Sequence, residues 1–470
     1  MMNRPNEEFL TGAKALLGPT GWSEDPDKLE EVASPWRGTS KGETPFLAMP
    51  GSTEEAAALV KLCAKHRVAL VPQGGNTGLV DGGTPHGEIT VSMRRMTKLR
   101  GVDTRNNSMT IEAGATLLSA QQAAEDAGRF FPLSLGSEGQ ASIGGLISTN
   151  AGGVAVLRYG MMRDLVLGLE VVLPSGEIWD GLSGLRKNNT GYDLKHLFAG
   201  AEGTLGLITA ATLKLFPKVS KATAWVTCET PAKVVDLLAL VRDHAGDTVT
   251  SFEIIPANAI EMVKSDVPDT RDPAPSGLPW RVLVEVSMSR EDLARDALME
   301  ALADGMESGL AADVLIAESG QQAASFWHIR ETIPLSKRAY GTALNHDVSV
   351  PVSAIPDFLT ATEQAIHELV PEAEIVAFGH VGDGNLHYSA CAPKNPENSA
   401  LSEKSDEVTR IVHAQAMKFG GSISAEHGVG RLKRDELAEI RPKAATETMR
   451  AIKLALDPLG IMNPGRVVSV

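Results

Sequence analysis

The chain has 470 residues, with 44 Lys and Arg against 59 Asp and Glu, a net charge of −15. Its hydrophobic content of 43% and charged content of 22% are those of a globular chain and exclude wholesale disorder. The acidic balance argues against nucleic-acid binding, which rests on cations neutralising phosphates, and against docking on an anionic membrane surface.

At about 150 residues per domain, the length suggests two to three domains. Cys63, Cys228 and Cys391 are far apart and too few for a disulfide framework or a four-thiolate iron–sulfur cluster. A reducing compartment is expected. The N-terminus, MMNRPNEEFL, has no apolar core of a signal peptide. The longest uncharged run, residues 139–157, is too rich in Gly, Ser, Thr and Asn for a transmembrane segment. A soluble, cytoplasmic protein is the expectation.

In chain order, residues 54–66 read as a helix with Thr53 as N-cap and Glu54 and Glu55 in the first turn. A short strand, VALVP at 68–72, leads into a Gly-rich loop, 73–87. MTIEAG reads as a strand and 117–127 as a helix. Residues 165–180 read as two strands joined at Pro174-Ser175-Gly176, and 205–217 as another strand. The character changes near Pro217. From there strands such as 281–288 alternate with helices such as 290–307, as in a second α+β domain. Past Gly430 the chain turns helical again and ends in NPGRVVSV.

Glycine, at 45 residues, exceeds the usual share of roughly 7% and clusters in three places: 72–83, 136–153 and 200–209. Gly lets backbone amides approach a ligand closely, and consecutive amides form anion-binding nests. One such loop is as readily an ordinary long turn. Three together point to an extended, pyrophosphate-containing cofactor. There is no G-x-G-x-x-G at a strand-to-helix turn and no G-x-x-x-x-G-K-[ST], so neither a Rossmann site nor a P-loop is expected.

PQGGNTGL, IGGLISTNAGG, YGMMRDLVLGLEVVLPSGEI, AGAEGTLGLIT and NPGR resemble, in order and over nearly the whole chain, the FAD-binding segments of the vanillyl-alcohol oxidase/p-cresol methylhydroxylase flavoprotein superfamily. The resemblance implies an α+β fold: a two-subdomain FAD-binding domain (1–216), an α+β substrate (cap) domain with an antiparallel sheet and a metal site (217–429), and a C-terminal helical segment (430–470) returning to the flavin. It assigns FAD contacts to Gly74, Gly75, Asn76, Thr77, Gly78 and Leu79 in the first loop. Gly136, Ser137, Ser142, Ile143, Gly144, Gly145, Thr149, Asn150, Gly152 and Gly153 follow in the second. Glu202, Gly206, Ile208 and Asn463 complete the set. The first loop holds neither the His nor the Cys through which some members attach flavin, so non-covalent FAD is implied.

The second chemical signal is FGHVGDGNLHYS, 378–389. Asp383-Gly384 is a favoured two-residue hairpin turn. With that loop Gly382 pairs with Asn385, Val381 with Leu386, and His380 lies directly opposite His387. Opposed residues share a face with Cβ atoms roughly 5 Å apart, which suits two imidazoles closing on one metal ion. Two polar strand residues facing solvent are the alternative. SISAEHGVGR, 422–431, adds Glu426 and His427. A carboxylate would complete a His/His/Glu set with positions left open for substrate. Adjacent residues on an extended chain point to opposite sides, so the two need not share one job.

GHVGDGNLHY and AEHGVGR resemble the two metal-site motifs of the D-2-hydroxyacid dehydrogenase branch, which includes enzymes of D-2-hydroxyglutarate, D-lactate and glycolate. The resemblance implies that His380, His387 and Glu426 bind a divalent metal, that His427 is the catalytic base, and that Asn385, with the two ligating histidines, lies against the substrate; two imidazoles and one carboxylate suit Zn²⁺ or Mn²⁺. FWHIRETIP, 326–334, resembles the segment supplying an Arg to the substrate carboxylate, here Arg330, which read alone is a surface helix residue. The family's hydroxyglutarate enzymes carry a Lys two residues before the Asp of HDVSVP. Here Asn345 stands there, and a neutral amide gives no counter-charge to a distal carboxylate. Restoring Lys at 345 is expected to favour hydroxyglutarate over lactate, unless Lys337, Arg338 or Arg330 compensates.

The implied chemistry is metal-assisted proton abstraction by His427, whose intrinsic pKa is near ~6.5, with hydride transfer to flavin N5 and release of a 2-oxoacid. Electrons then leave to an external acceptor, an electron-transfer flavoprotein, quinone or cytochrome. A homodimer is compatible with this reading. The rival readings are a D-lactate- or glycolate-type dehydrogenase, an O₂-using flavin oxidase, a metal-dependent hydrolase or lyase without flavin, and a non-catalytic flavin-binding subunit.

Overall fold

The computed structural model describes residues 3–35, 40–275, 277–337, 342–392 and 400–470. Contacts divide the chain into two units. One comprises Met1–Gly153, Gly160–Pro217 and Glu426–Val470, the other Val154–Tyr159 and Lys218–Ala425. The fold is α+β, with mainly antiparallel sheets and helices at the C-terminus. No helix among the described residues is long and apolar enough to cross a membrane.

The first unit holds two principal sheets. Strands β1 (Trp22–Ser23), β2 (Leu47–Ala48), β3 (Leu70–Gln73) and β4 (Ile89–Ser92) lie in the order β1-β2-β4-β3, with β2, β4 and β3 parallel. Every residue of β4 is buried, as a parallel strand covered on both faces requires. The helix Thr53–His66 links β2 to β3. Its cap is Ser52, one residue earlier than the sequence suggests: Ser52 Oγ accepts from the amide of Glu55 at 3.2 Å. Thr53 joins the helix because its hydroxyl is spent on buried Glu170, at 2.6 Å.

The second sheet is antiparallel. It contains β5 (Leu99–Asp103), β6 (Ser108–Glu112), β8 (Val166–Val172), β9 (Ile178–Gly181) and β10 (Leu207–Lys214), ordered β5-β6-β10-β8-β9. A two-stranded ribbon joins β7 (Arg129–Phe130) to β11 (Phe216–Pro217). β8 and β9 form the hairpin expected around Pro174-Ser175-Gly176. The C-terminus returns to β3: the amide of Leu70 donates to Ile461 O and that of Asn463 to Leu70 O. Buried Lys453, on the helix Lys443–Leu456, locks this return by donating to Thr204 O, Met462 O and the Asp457 carboxylate.

The second unit is built on one seven-stranded antiparallel sheet. Its strands are β12 (Ser220–Cys228), β13 (Val249–Pro256), β14 (Trp280–Met288), β15 (Asp313–Ile316), β16 (Ala343–Ser349), β17 (Glu374–His380) and β18 (Asn385–Cys391), in the order β15-β12-β14-β13-β17-β18-β16. The period of two sorts side chains to two faces. Phe252, Ile254, Val284, Ala377, Leu386 and Tyr388 pack under the helices Pro231–Ala245, Glu291–Glu307, Ile355–Leu369 and Ser405–Lys418. Trp225, Ile255, Leu283 and Phe378 take the other face, against the helices Ala257–Asp266 and Gly320–Ser336. Glu253, His380, Asn385, His387 and Asp347 share that second face by register.

The β17–β18 hairpin differs from the two-residue loop expected. His380 pairs with Asn385 and Phe378 with His387, so His380 does not stand opposite His387. The loop is four residues long because residues 381–384 close their own turn. The amide of Gly384 donates to Val381 O at 3.2 Å, and Asp383 Oδ1 accepts from the amide of Asn385 at 3.1 Å. The partner of Asn385 moves two residues along β17, from the expected Gly382 to His380, and an even shift keeps every side chain on its face. The two histidines become diagonal neighbours, still within reach of one another.

Gly384 has φ 80°, and an added Cβ would overlap Val350 O. Gly384→Ala is therefore expected to destabilise the protein by about 1–3 kcal/mol, read as a lower midpoint in thermal denaturation. An unchanged midpoint would show that the turn is not constrained in this way.

Candidate functional site

The centre of the polar face is Glu253, in the middle of β13 and fully buried. One carboxylate oxygen accepts from Arg330 Nε at 2.6 Å, and the other meets His380 Nδ1. Burial by itself raises a carboxyl pKa; the charges and hydrogen bonds of Arg330 and His380 outweigh it and hold Glu253 down at about 2. Glu253 is thus an anion that orients two neighbours at once.

Arg330 is buried, not on the surface. It lies on the helix Gly320–Ser336, 6% exposed, with its guanidinium carbon 4.7 Å from the centre of the Phe378 ring. Pro334 sits four residues on and has no N–H for the Arg330 carbonyl, so the helix ladder is interrupted there.

His380 and His387 meet edge to face with ring centres 5.6 Å apart, and each offers a ring nitrogen within 4.8 Å of the other's. Glu253 engages Nδ1 of His380. A carboxylate behind a histidine is how proteins fix the tautomer and raise the basicity of metal-binding imidazoles. Behind His387 stands buried Asp347, 4.0 Å from Nδ1. Asn385 donates to Asp347 Oδ1 at 2.8 Å and to Val348 O at 3.0 Å. Its own Oδ1 is buried with no hydrogen-bond partner. A buried acceptor left unmade costs about 1–3 kcal/mol, so this oxygen is suited to a ligand.

Asn345, the amide where a cation was expected, is not alone. Lys337, the C-cap of the Arg330 helix and 5% exposed, donates to Asn345 Oδ1 at 2.7 Å and to Ser389 Oγ at 2.6 Å. Arg338 lies outside the described residues.

The remaining site residues lie in the first unit. Glu426 stands against Gly152, its Oε1 2.7 Å from where a Cβ on Gly152 would be. His427 is half-buried beside it. The segment that follows is pinned by Glu202, whose carboxylate accepts from the amides of Val429 at 2.7 Å and Gly430 at 2.8 Å. Burial raises the pKa of Glu202 against those two hydrogen bonds.

The expected FAD contacts also fall in this unit. Gly74 to Leu79 follow β3 directly. Gly74 packs on Ser142 Oγ and Gly75 on Gln140 O, where an added Cβ would overlap either oxygen. Ser142 caps the helix Ile143–Thr149, and Asn150 ends it at φ 51°. Gly206 and Ile208 enter β10 on the Val171 side. Asn463 donates to Gly82 O and Glu202 O, while its Oδ1 is buried without a partner. Gly78, Gly136 and Gly139 face open space. Glycines that leave room for close backbone approach and an orphaned acceptor that needs a donor fit a large polar ligand such as FAD.

Glu253 escaped sequence reasoning. The signal was a lone Glu inside the apolar run SFEIIP, since a buried carboxylate must be paired. Two outcomes follow from the geometry. Glu253→Gln leaves the buried Arg330 guanidinium without its counter-charge and is expected to cost about 3–5 kcal/mol, measured by denaturation; a loss below 1 kcal/mol would contradict the pairing. Gly75→Ala pushes the loop off Gln140 and is expected to reduce retained flavin, read as the visible-to-ultraviolet absorbance ratio after gel filtration. Full retention would refute that seat.

Residues 44–181 match the FAD binding domain, and residues 218–467 match the C-terminal domain of FAD linked oxidases. The probable mitochondrial D-2-hydroxyglutarate dehydrogenase of Oryza sativa subsp. indica is 36% identical over 466 residues, 98% of this chain and 82% of that one. The D-2-hydroxyglutarate dehydrogenase of Stutzerimonas stutzeri (strain A1501) is 36% identical over 459 residues, 97% of both chains. Among solved structures, p-cresol methylhydroxylase with substrate bound superposes with a TM-score of 0.77 at 16% identity, covering 98% of this chain and 96% of that one. Alkyldihydroxyacetonephosphate synthase gives 0.75 at 20%, covering 99% and 86%. The chain is an FAD-dependent oxidoreductase and belongs to the D-2-hydroxyacid dehydrogenase branch of the vanillyl-alcohol oxidase/p-cresol methylhydroxylase flavoprotein superfamily.

Proposed function

We propose that this chain oxidises a D-2-hydroxyacid to the 2-oxoacid, with D-2-hydroxyglutarate ahead of D-lactate or glycolate as substrate. The observation that carries the reading is Glu253, which couples one histidine of the His380/His387 pair to Arg330 on one buried face. That pairing suits an anion that also bears a chelating hydroxyl. The names of the relatives from Oryza and Stutzerimonas support the substrate.

His380, His387 and Glu426 are the proposed ligands of a divalent cation, Zn²⁺ or Mn²⁺. Arg330 holds the substrate α-carboxylate through a charge-assisted pair. Asn385 Oδ1 meets the substrate. His427 removes the proton from the C2 hydroxyl, a task for which imidazole is matched at neutral pH. When bound, FAD supplies the hydride acceptor, through N5, and the cation supplies Lewis acidity. Residues 1–216 and 430–470 serve the flavin and 217–429 the substrate. FAD is held non-covalently, since residues 74–79 include no His or Cys. The three cysteines are buried and unpaired, so electrons pass to an external acceptor, and a cytoplasmic location is part of this reading.

Anaerobic mixing with D- and L-2-hydroxyacids tests the assignment. D-2-hydroxyglutarate is expected to bleach the flavin and its L-isomer to leave it oxidised; bleaching by no 2-hydroxyacid rejects the function. Acid precipitation should release the flavin to the supernatant. His387→Ala, or chelation, is expected to abolish substrate oxidation with FAD still bound. Full activity in metal-free protein would remove the metal from the reading.

A further inference from the structure

We infer that Lys337 is the specificity residue that takes the second carboxylate of a dicarboxylic 2-hydroxyacid, in place of a cation at position 345. The inference rests on the function proposed above and adds to it the residue that separates diacid from monoacid. Lys337 lies seven residues after Arg330, two helical turns along one face. Both cations converge on Phe378. The Arg330 guanidinium carbon is 4.7 Å and the Lys337 ammonium 5.0 Å from its ring centre, so the two are no more than 9.7 Å apart. His387 packs on the same ring, with centres 5.1 Å apart. Phe378 is therefore the floor of a patch with a carboxylate-binding guanidinium, an ammonium and a histidine around it.

The ammonium is held in place. Asn345 Oδ1 and Ser389 Oγ accept from it at 2.7 and 2.6 Å, and Ser389 Oγ donates to Asn345 Oδ1 at 3.0 Å. These two acceptors are neutral, so they orient the charge without opposing it. Ser389 is fully buried and Lys337 nearly so. A long, rotamer-rich side chain fixed in this way has already lost its conformational freedom before any ligand arrives. The spacing selects a ligand length. A five-carbon diacid sets its carboxyl carbons roughly 5 Å apart by bond geometry, and a charge-assisted hydrogen bond of about 2.8 Å at each end lets it span two cations within that limit. A three-carbon monoacid reaches only one of them.

The same geometry reverses the effect expected of Asn345→Lys. A second ammonium at 345 would meet the first instead of filling a gap. The role of Asn345 is to place Lys337.

The experiment compares kcat/KM for D-2-hydroxyglutarate with that for D-2-hydroxyvalerate, a chain of the same length without the distal charge. Lys337→Met is expected to lower the ratio of the two by roughly 10- to 100-fold, through KM, the scale of one lost charge-assisted hydrogen bond. Lys337→Arg should recover part of it. Asn345→Lys alone should lower the ratio, and the exchange variant Lys337→Asn with Asn345→Lys should restore it, which keeps the test decisive where Lys337→Met fails to fold. Equal losses for both acids in Lys337→Met, or a higher ratio in Asn345→Lys, overturn the assignment. Wild-type enzyme that oxidises both acids equally well also overturns it while leaving the proposed function intact. Failure of every D-2-hydroxyacid to reduce the flavin takes both down.

Discussion

The buried anion Glu253 is the constraint on which the second unit's polar face depends. A carboxylate at the centre of a seven-stranded sheet can stay ionised only if cations come to it. Arg330 does, from the helix Gly320–Ser336, and His380 meets the other carboxylate oxygen from the end of β17. Sheet and helix are thereby tied at one point, and the two groups that suit a metal and a carboxylate share one fixed origin. Such a pair is weak evidence of stability, because desolvation of the three groups opposes their attraction. It is better understood as registration: any shift of the helix along the sheet would strand a buried charge.

The faces of the sheet divide the labour. The side toward the helices Pro231–Ala245, Glu291–Glu307, Ile355–Leu369 and Ser405–Lys418 is mainly apolar and supplies the cohesive energy. The opposite side could then carry Glu253, Asp347, His380, His387, Ser389 and Lys337 close together. In the first unit the equivalent division is between the buried parallel strands and the glycine loops at their ends. There Glu202, Asn463 and Lys453 each bond to backbone, and so fix where residues 429–430 and the C-terminus run.

Much of this was legible in the sequence, for identifiable reasons. Local signals survived: the strands at 281–288 and 166–172, the turn at Pro174-Ser175-Gly176 and the glycine loops depend on near neighbours in the chain. The hairpin at 381–384 was misjudged because Asp383-Gly384 satisfies the two-residue rule, while Val381 closes a wider turn through Gly384. The face assignment survived that error, since an even register shift leaves the side-chain alternation intact. Arg330 needed the family resemblance. Nothing local distinguishes it from a surface helix residue, and its partner is 77 positions away.

Asn345 shows the limit of reading a site column by column. In sequence, a Lys replaced by Asn is a lost charge. In space, what a substrate meets is the ammonium, and a lysine side chain can deliver it from a backbone several ångströms away. Helix and strand both face the Phe378 ring, so either can supply the cation to nearly the same point. The amide that fills the strand position is then not neutral filler. Its oxygen accepts from Lys337 and from Ser389, whereas its amide nitrogen donates back to Ala343 O at 3.1 Å. An amide, with both donor and acceptor, can anchor itself to the strand and aim a neighbour's charge at once. A lysine at that position has no acceptor to offer Lys337.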